Sequence, residues 1–204
     1  MASLPASPII PLIVLDDAAS AVDTVHALAA GGILAAEIAL RTPDALRAIE
    51  LAARDGSVAV GAGTVIHPAD VDRVADAGAT FVVSPGFDRE VVNRCRVRGL
   101  AVLPGVATAT EVQWAVRAGL KTVKFFPADR LGGLATIAAL AAPFHELTFV
   151  PSGGVSAANV AEYLAHPSVA AVSGSWMAPR ALLVDRDFAA VERLSREAME
   201  LVPR

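Results

Sequence analysis

Lysine is almost absent from this chain: two residues in 204, against fifteen arginines. Arginine serves wherever a positive charge is enough, so each remaining lysine points to something arginine cannot do. Arginine keeps its proton, whereas lysine can lose it when buried and become a nucleophile. Cysteine is scarcer still. Cys95 stands alone in Asn93-Arg94-Cys95-Arg96, which excludes an internal disulfide and fits a reducing compartment. Its arginine neighbours favour a thiolate, but an inert helix cysteine is the simpler reading.

Long apolar runs are missing too. Hydrophobic residues make up 54% of the chain, much of it alanine, yet no run reaches the roughly 18 residues of a membrane-spanning helix. The composition implies a large buried surface, part of which an oligomer partner would cover. A basic patch is absent and the net charge is −4, which argues against a nucleic-acid footprint. Met1-Ala2-Ser3-Leu4-Pro5 lacks the charged segment and apolar core of a secretory signal. Leu201-Val202-Pro203-Arg204 matches the residue order left by thrombin cleavage of a fusion tag. The expected domain is therefore residues 1–200.

Common catalytic signatures are also lacking. His26, His67, His145 and His166 are scattered, with no second ligand at metal spacing on a strand end. No Gly-x-Ser-x-Gly occurs, and neither Ser84 nor Ser173 has a histidine partner for nucleophilic catalysis. His26 reads as structural, and Trp114 and Trp176 as core or interface aromatics.

What is present is a repeated two-part unit. An apolar, β-branched stretch ends in small or polar residues, and an alanine-rich amphipathic stretch follows. The strand-like stretches are Ile9–Leu15, Ala35–Leu40, Val58–Thr64, Phe81–Ser84, Ala101–Val106, Thr122–Pro127, Leu147–Ser152 and Val169–Ser175. Helical patterns lie between them, such as Thr42–Arg54, His67–Ala77 and Thr108–Ala118. Pro43 and Pro68 stand where first-turn prolines are tolerated. Gly32, Gly56, Gly78, Gly99 and Gly119 occupy helix C-cap positions before the next strand. Continuous apolar strands read as parallel strands buried on both faces. Eight such units predict an α/β fold, a (β/α)₈ barrel of the TIM type. A doubly wound sheet is disfavoured, because no Gly-x-Gly-x-x-Gly follows the first strand.

Functional residues of such barrels gather at the C-terminal strand ends. Lys124 sits within Thr122-Val123-Lys124-Phe125-Phe126-Pro127, a poorly solvated setting that favours the neutral amine. A strand lysine also commonly snorkels to a rim. Alternation puts Glu37, Ala39 and Arg41 on one face, with Glu37 deep and Arg41 at the mouth about 13 Å further along. If that face and that of Lys124 are interior, a carboxylate and an amine enter one closed space. The pair then serves either as a structural ion pair or as catalytic machinery. Arg41, before Thr42-Pro43, suits a helix start or a substrate carboxylate. Thr64, ending Gly61-Ala62-Gly63-Thr64, suits an N-cap or a ligand hydroxyl, and the small residues before it admit a neighbouring strand or a ligand. Ser152-Gly153-Gly154 and Gly174-Ser175 end the last two strands, where barrels often bind phosphate through backbone N–H groups.

Glu37-Ile-Ala-Leu-Arg41-Thr42, Gly61-Ala-Gly-Thr64-Val65, Ser84-Pro85-Gly86, Pro104-Gly105, Lys124-Phe125-Phe126-Pro127-Ala128, Ser152-Gly153-Gly154 and Gly174-Ser175-Trp176 occur in this order. Together, over residues 8 to 200, they resemble the 2-keto-3-deoxy-6-phosphogluconate (KDPG) aldolases, which overlap with the 4-hydroxy-2-oxoglutarate aldolases. The resemblance implies a class I, Schiff-base lyase with no metal and no cofactor. It implies Lys124 as the imine-forming nucleophile and Glu37 as general acid/base. Arg41 and Thr64 would hold the pyruvyl carboxylate, and Pro85 and Phe126 would line the pocket. Ser152 would contact substrate, and Gly153, Gly154, Gly174 and Ser175 would bind the distal phosphate. The partners implied are a phosphorylated keto acid and pyruvate, with no nucleic acid or membrane, in a cytoplasmic homotrimer. The family often carries threonine at the position of Ser152, so a modest change of specificity is expected. Arg41-Thr42 matches the gluconate enzymes better than the galactonate ones. The competing readings are a galactonate-type aldolase, a phosphate-binding barrel isomerase or synthase without an imine, and a non-catalytic barrel.

Overall fold

A computed structural model describes residues 2–203; Met1 and Arg204, which close the leader and tag readings above, lie outside the described residues. Eight strands form one sheet: β1 (Ile9–Ile13), β2 (Ala35–Ala39), β3 (Ala59–Gly63), β4 (Phe81–Ser84), β5 (Ala101–Val106), β6 (Thr122–Phe125), β7 (Thr148–Pro151) and β8 (Val172–Gly174). The main helices between them are α1 (Ala21–Ala30), α2 (Ala45–Asp55), α3 (Pro68–Asp76), α4 (Arg89–Val97), α5 (Ala109–Arg117) and α6 (Gly133–Ala141). Two short helices, α7 (Val160–Leu164) and α8 (Arg180–Val184), precede a longer α9 (Phe188–Glu200).

All neighbouring strands pair in parallel, in the order β7-β6-β5-β4-β3-β2-β1-β8. Two isolated bridges, Phe149 to Val169 and Ser152 to Ser173, join the outer strands and close the ring. The (β/α)₈ expectation holds.

Strand alternation divides the apolar residues into two cores. Ile10, Phe81, Val83, Ala101, Leu103, Val150 and Ala171 fill the barrel, and Leu4 packs against this cluster. The larger cluster, with Ile9, Ile38, Val82, Phe125, Phe149 and Val172, lies between strands and helices. Every residue of β2 is buried, as a strand covered on both faces requires.

Helix starts follow their sequence signals. Thr108 and Glu111 form a complete capping box on α5, and the Asp88 carboxylate accepts from the Val91 N–H to cap α4. The five expected C-terminal glycines all adopt positive φ, between 71° and 93°. His26 bridges α1 to Asp55 of α2 at 2.8 Å on the surface. Cys95 lies buried in α4, and burial pushes its thiol up to about 12.

Several boundaries differ from expectation. Pro43 lies ahead of α2, not in its first turn. The Thr42 hydroxyl donates to the Leu15 carbonyl at 2.5 Å, and the Asp44 carboxylate accepts from the Ala18 N–H at 3.1 Å. These bonds hold 42–44 as a connection between two strand ends, so the helix starts later. The eighth strand begins at Val172, because Val169 makes only the isolated bridge. Leu201 and Val202 continue from α9 through turn hydrogen bonds, and Val202 packs on the outer core. Among the described residues no helix is long and apolar enough to cross a membrane.

Candidate active site

Glu37 and Lys124 are the only charged residues buried among the described residues, at 1% and 5% exposure. They come from opposite sides of the ring. Lys124 pairs with Val150, an inner-core residue, so its side chain also enters the barrel. Glu37 pairs with Leu12 and Gly61, and Gly61 in turn with the inner-core Phe81. The Lys124 ammonium nitrogen donates to Glu37 Oε1 at 3.5 Å and lies 5.5 Å from the Phe126 ring centre. Glu37 Oε2 is buried without a hydrogen-bond partner. Burial raises the Glu37 carboxyl above its ordinary 4.5, and the nearby charge and hydrogen bond of Lys124 offset this only in part.

Glycines make the room for this pair. A β-carbon at Gly63 would overlap the Glu37 carboxylate, and one at Gly61 would overlap the Phe81 ring. The small residues of β3 therefore admit the protein's own side chains, which settles the choice left open by the sequence. Gly63 pairs with Ala39, two residues nearer the mouth than Glu37, so the carboxylate leans mouthward. Gly105 is the strand partner of Lys124, and a β-carbon there would collide with the Pro85 carbonyl. Pro85 is thereby held against the strand partner of the lysine.

The mouth carries the remaining candidates. Arg41 and Thr64 follow adjacent strand ends, which the Leu40 N–H joins by donating to the Gly63 carbonyl at 2.9 Å. Arg41 is exposed and makes no ion pair among the described residues. Thr64 has φ of 60°, a real outlier for a β-branched residue and a kind of strain that clusters at functional sites.

Phe126, 37% exposed, links the amine to the glycine loop after β7. A β-carbon at Gly153 would sit 3.4 Å from its ring. The Ala128 N–H donates to the Ser152 carbonyl at 2.8 Å and the Asp129 N–H to the Gly153 carbonyl at 2.9 Å, clamping that loop to the end of β6. Gly174 lies under the Trp176 ring and close to the Val155 carbonyl, so the loops after β7 and β8 touch. The backbone N–H groups of Gly154, Ser175 and Trp176 have no acceptor among the described residues. This arrangement suits an anion. Sequence reading missed the crowding around Gly63, Gly105 and Gly174, which becomes visible only once strand register is known. It also set Ser173 aside, although alternation from Ala171 turns it inward.

The family model "KDPG and KHG aldolase" matches residues 2–194. The chain belongs to the KDPG and KHG aldolase family. The aldolase is 43% identical over 195 residues to the 2-dehydro-3-deoxy-phosphogluconate aldolase of Treponema pallidum, covering 95% of this chain and 93% of its relative. Against the enzyme of the same name from Pseudomonas aeruginosa the identity is 45% over 193 residues, with 94% and 88% covered. The aldolase also superposes on the crystal structure of the Legionella pneumophila KDPG aldolase, which holds pyruvate as a covalent carbinolamine. The TM-score is 0.91 at 37% identity, with 95% and 94% of the two chains covered. As an aldolase it is a lyase, one that breaks a carbon–carbon bond.

Proposed function

We propose that this barrel cleaves 2-keto-3-deoxy-6-phosphogluconate to pyruvate and glyceraldehyde 3-phosphate through an imine on Lys124, and also accepts 4-hydroxy-2-oxoglutarate. One observation carries the reading: the two buried charges of the barrel are an amine and a carboxylate 3.5 Å apart. The neutral Lys124 amine attacks the C2 carbonyl. Glu37 donates a proton as water leaves the carbinolamine, giving the iminium. The C3–C4 bonding electrons move into this cation, the C4 hydroxyl passes its proton to the Glu37 carboxylate left by the dehydration step, and the aldehyde departs. Glu37 then protonates the enamine at C3, and water releases pyruvate.

Arg41 and Thr64 hold the pyruvyl carboxylate. Pro85 and Phe126 wall the pocket, and Ser152 contacts the chain of the substrate. The phosphate binds between Gly153, Gly154, Gly174 and Ser175, where unpaired N–H groups gather. Contacts so far from the breaking bond help to align it. The same reading carries a homotrimer acting in the cytoplasm, which light scattering and cell fractionation test.

The decisive experiment treats the protein with pyruvate and borohydride, digests it and weighs the peptides. The peptide bearing Lys124 gains the reduced pyruvyl group. Lys124→Arg should give neither adduct nor turnover, because guanidinium stays protonated. An unmodified Lys124 peptide in the unaltered protein, or substantial cleavage by the arginine variant, would sink the imine mechanism.

A further inference from the structure

Ser173 carries a hydroxyl that the protein leaves alone. It is 1% exposed, and its Oγ has no hydrogen-bond partner among the described residues. Strand β8 fixes its direction. Ala171 belongs to the inner core and Val172 to the outer one, so alternation turns Ser173 inward. Its partner on β1 is Ile10, again an inner-core residue. On the other side it bridges Ser152, two residues beyond Val150, the strand partner of Lys124. Gly174 and Ser175, at the anion loop, come immediately after it. The hydroxyl thus lies between the amine and the loop.

Buried hydroxyls normally find partners, and an orphan is unfavourable compared with alanine. The other orphan serine hydroxyls, Ser57 and Ser195, lie off the inner face, Ser57 before β3 and Ser195 in α9 against Gly31. Ser173 is the one whose missing partner is accounted for by an occupant of the barrel.

We propose that Ser173 determines specificity by hydrogen-bonding the hydroxyl on carbon 5 of the substrate. The proposal rests on the aldolase reading above. With carbon 2 on Lys124 and the phosphate at the β7 and β8 loops, the intervening carbons cross Ser152 and Ser173. Ser173 adjoins the phosphate loop, so it meets the carbon next to the phosphate-bearing one. In the reverse direction the same contact reads the 2-hydroxyl of glyceraldehyde 3-phosphate.

Two aldehydes that differ only in that hydroxyl, glyceraldehyde 3-phosphate and 3-oxopropyl phosphate, test this when each is condensed with pyruvate. The unaltered enzyme should prefer the hydroxylated aldehyde. Ser173→Ala should lower kcat/KM for it about tenfold and leave that for 3-oxopropyl phosphate unchanged. The ratio comes from one sample, so partial unfolding cancels, and the thermal midpoint should hold or rise. Ser173→Cys, of similar bulk but a weaker donor, should give an intermediate ratio. An unchanged ratio, or equal losses on both aldehydes, overturns the proposal. Borohydride trapping separates the failures: an adduct on Lys124 with no change of ratio sinks only the role of Ser173, whereas no adduct in the unaltered enzyme sinks the aldolase reading.

Discussion

Glu37→Gln is the sharpest perturbation of the site. Glutamine keeps the shape of the side chain and can still hydrogen-bond to Lys124, but has no titrating proton. The carboxylate it replaces is 1% exposed, with Oε1 3.5 Å from the lysine and Oε2 unpartnered. Water has little access to substitute for it. A positioned carboxylate typically contributes about 10²–10⁴-fold through proton transfer. Pyruvate release at saturating substrate, followed by coupling to lactate dehydrogenase, should therefore fall by that range, with KM changing less. The adduct with pyruvate and borohydride should still form on Lys124, more slowly, because dehydration of the carbinolamine has lost its acid. A variant that keeps more than about a tenth of the original kcat would refute the role of Glu37.

The same substitution has a thermodynamic signature. Burial raises the Glu37 carboxyl, so the folded protein keeps a proton at pH values where the unfolded chain has released it. More protons bound to the folded state means stability falls as pH rises. The contribution is complete below the ordinary value of 4.5 and is lost as pH rises through the higher folded value. Glutamine has no proton to lose. The stability of the unaltered protein relative to Glu37→Gln should thus decline with pH above 4.5. The slope is at most about 1.4 kcal/mol per pH unit, the equivalent of one proton. Urea unfolding of both proteins across this range measures it. A difference that is flat, or rises with pH, would mean that Lys124 outweighs burial and the pair sits ionised.

Two further outcomes are expected. Gly63→Ala should cost about 1–3 kcal/mol in urea unfolding, because the new methyl overpacks against the Glu37 carboxylate; turnover should fall with it, and a neutral result on both counts would contradict the close approach. Cys95, its thiol pushed up to about 12 by burial, should ignore a disulfide reagent in the folded protein and react with one equivalent on unfolding; rapid labelling without unfolding would speak against its burial.

The eight strands were legible because each is buried on both faces and so reads as an unbroken apolar run. The glycines that close the helices were legible because positive φ at a C-cap selects them. The expected strands ran past the observed ends at Leu15, Leu40, Thr64, Pro127, Ser152 and Ser175, residues that follow the regular ladder toward the mouth. The boundary of α2 was misjudged because the Thr42 and Asp44 side chains bond to residues near the end of β1, and such long-range partners leave no local signal. The pairing of Glu37 with Lys124 could be posed from alternation but not decided, since the contact joins residues 87 positions apart. Ser173 escaped for the opposite reason: the sequence asked only whether it was a nucleophile, whereas its isolation on the inner face is a three-dimensional fact.

The local deficits of this barrel fall in one place. A buried pair kept for stability would be short and fully hydrogen-bonded, since unsatisfied buried groups are costly. Here the contact is at the outer limit of a hydrogen bond, and one carboxylate oxygen is orphaned. Beside it, Thr64 holds a strained φ and Ser173 buries a lone hydroxyl. Apolar replacements for the pair and for Ser173 would remove the orphaned groups without disturbing the outer core, where Ile, Val and Phe pack between strands and helices. Selection for stability alone would have taken that route. The concentration of unrepaired groups around one amine, all opening toward the same mouth, is what a site shaped for a bound and reacting molecule requires.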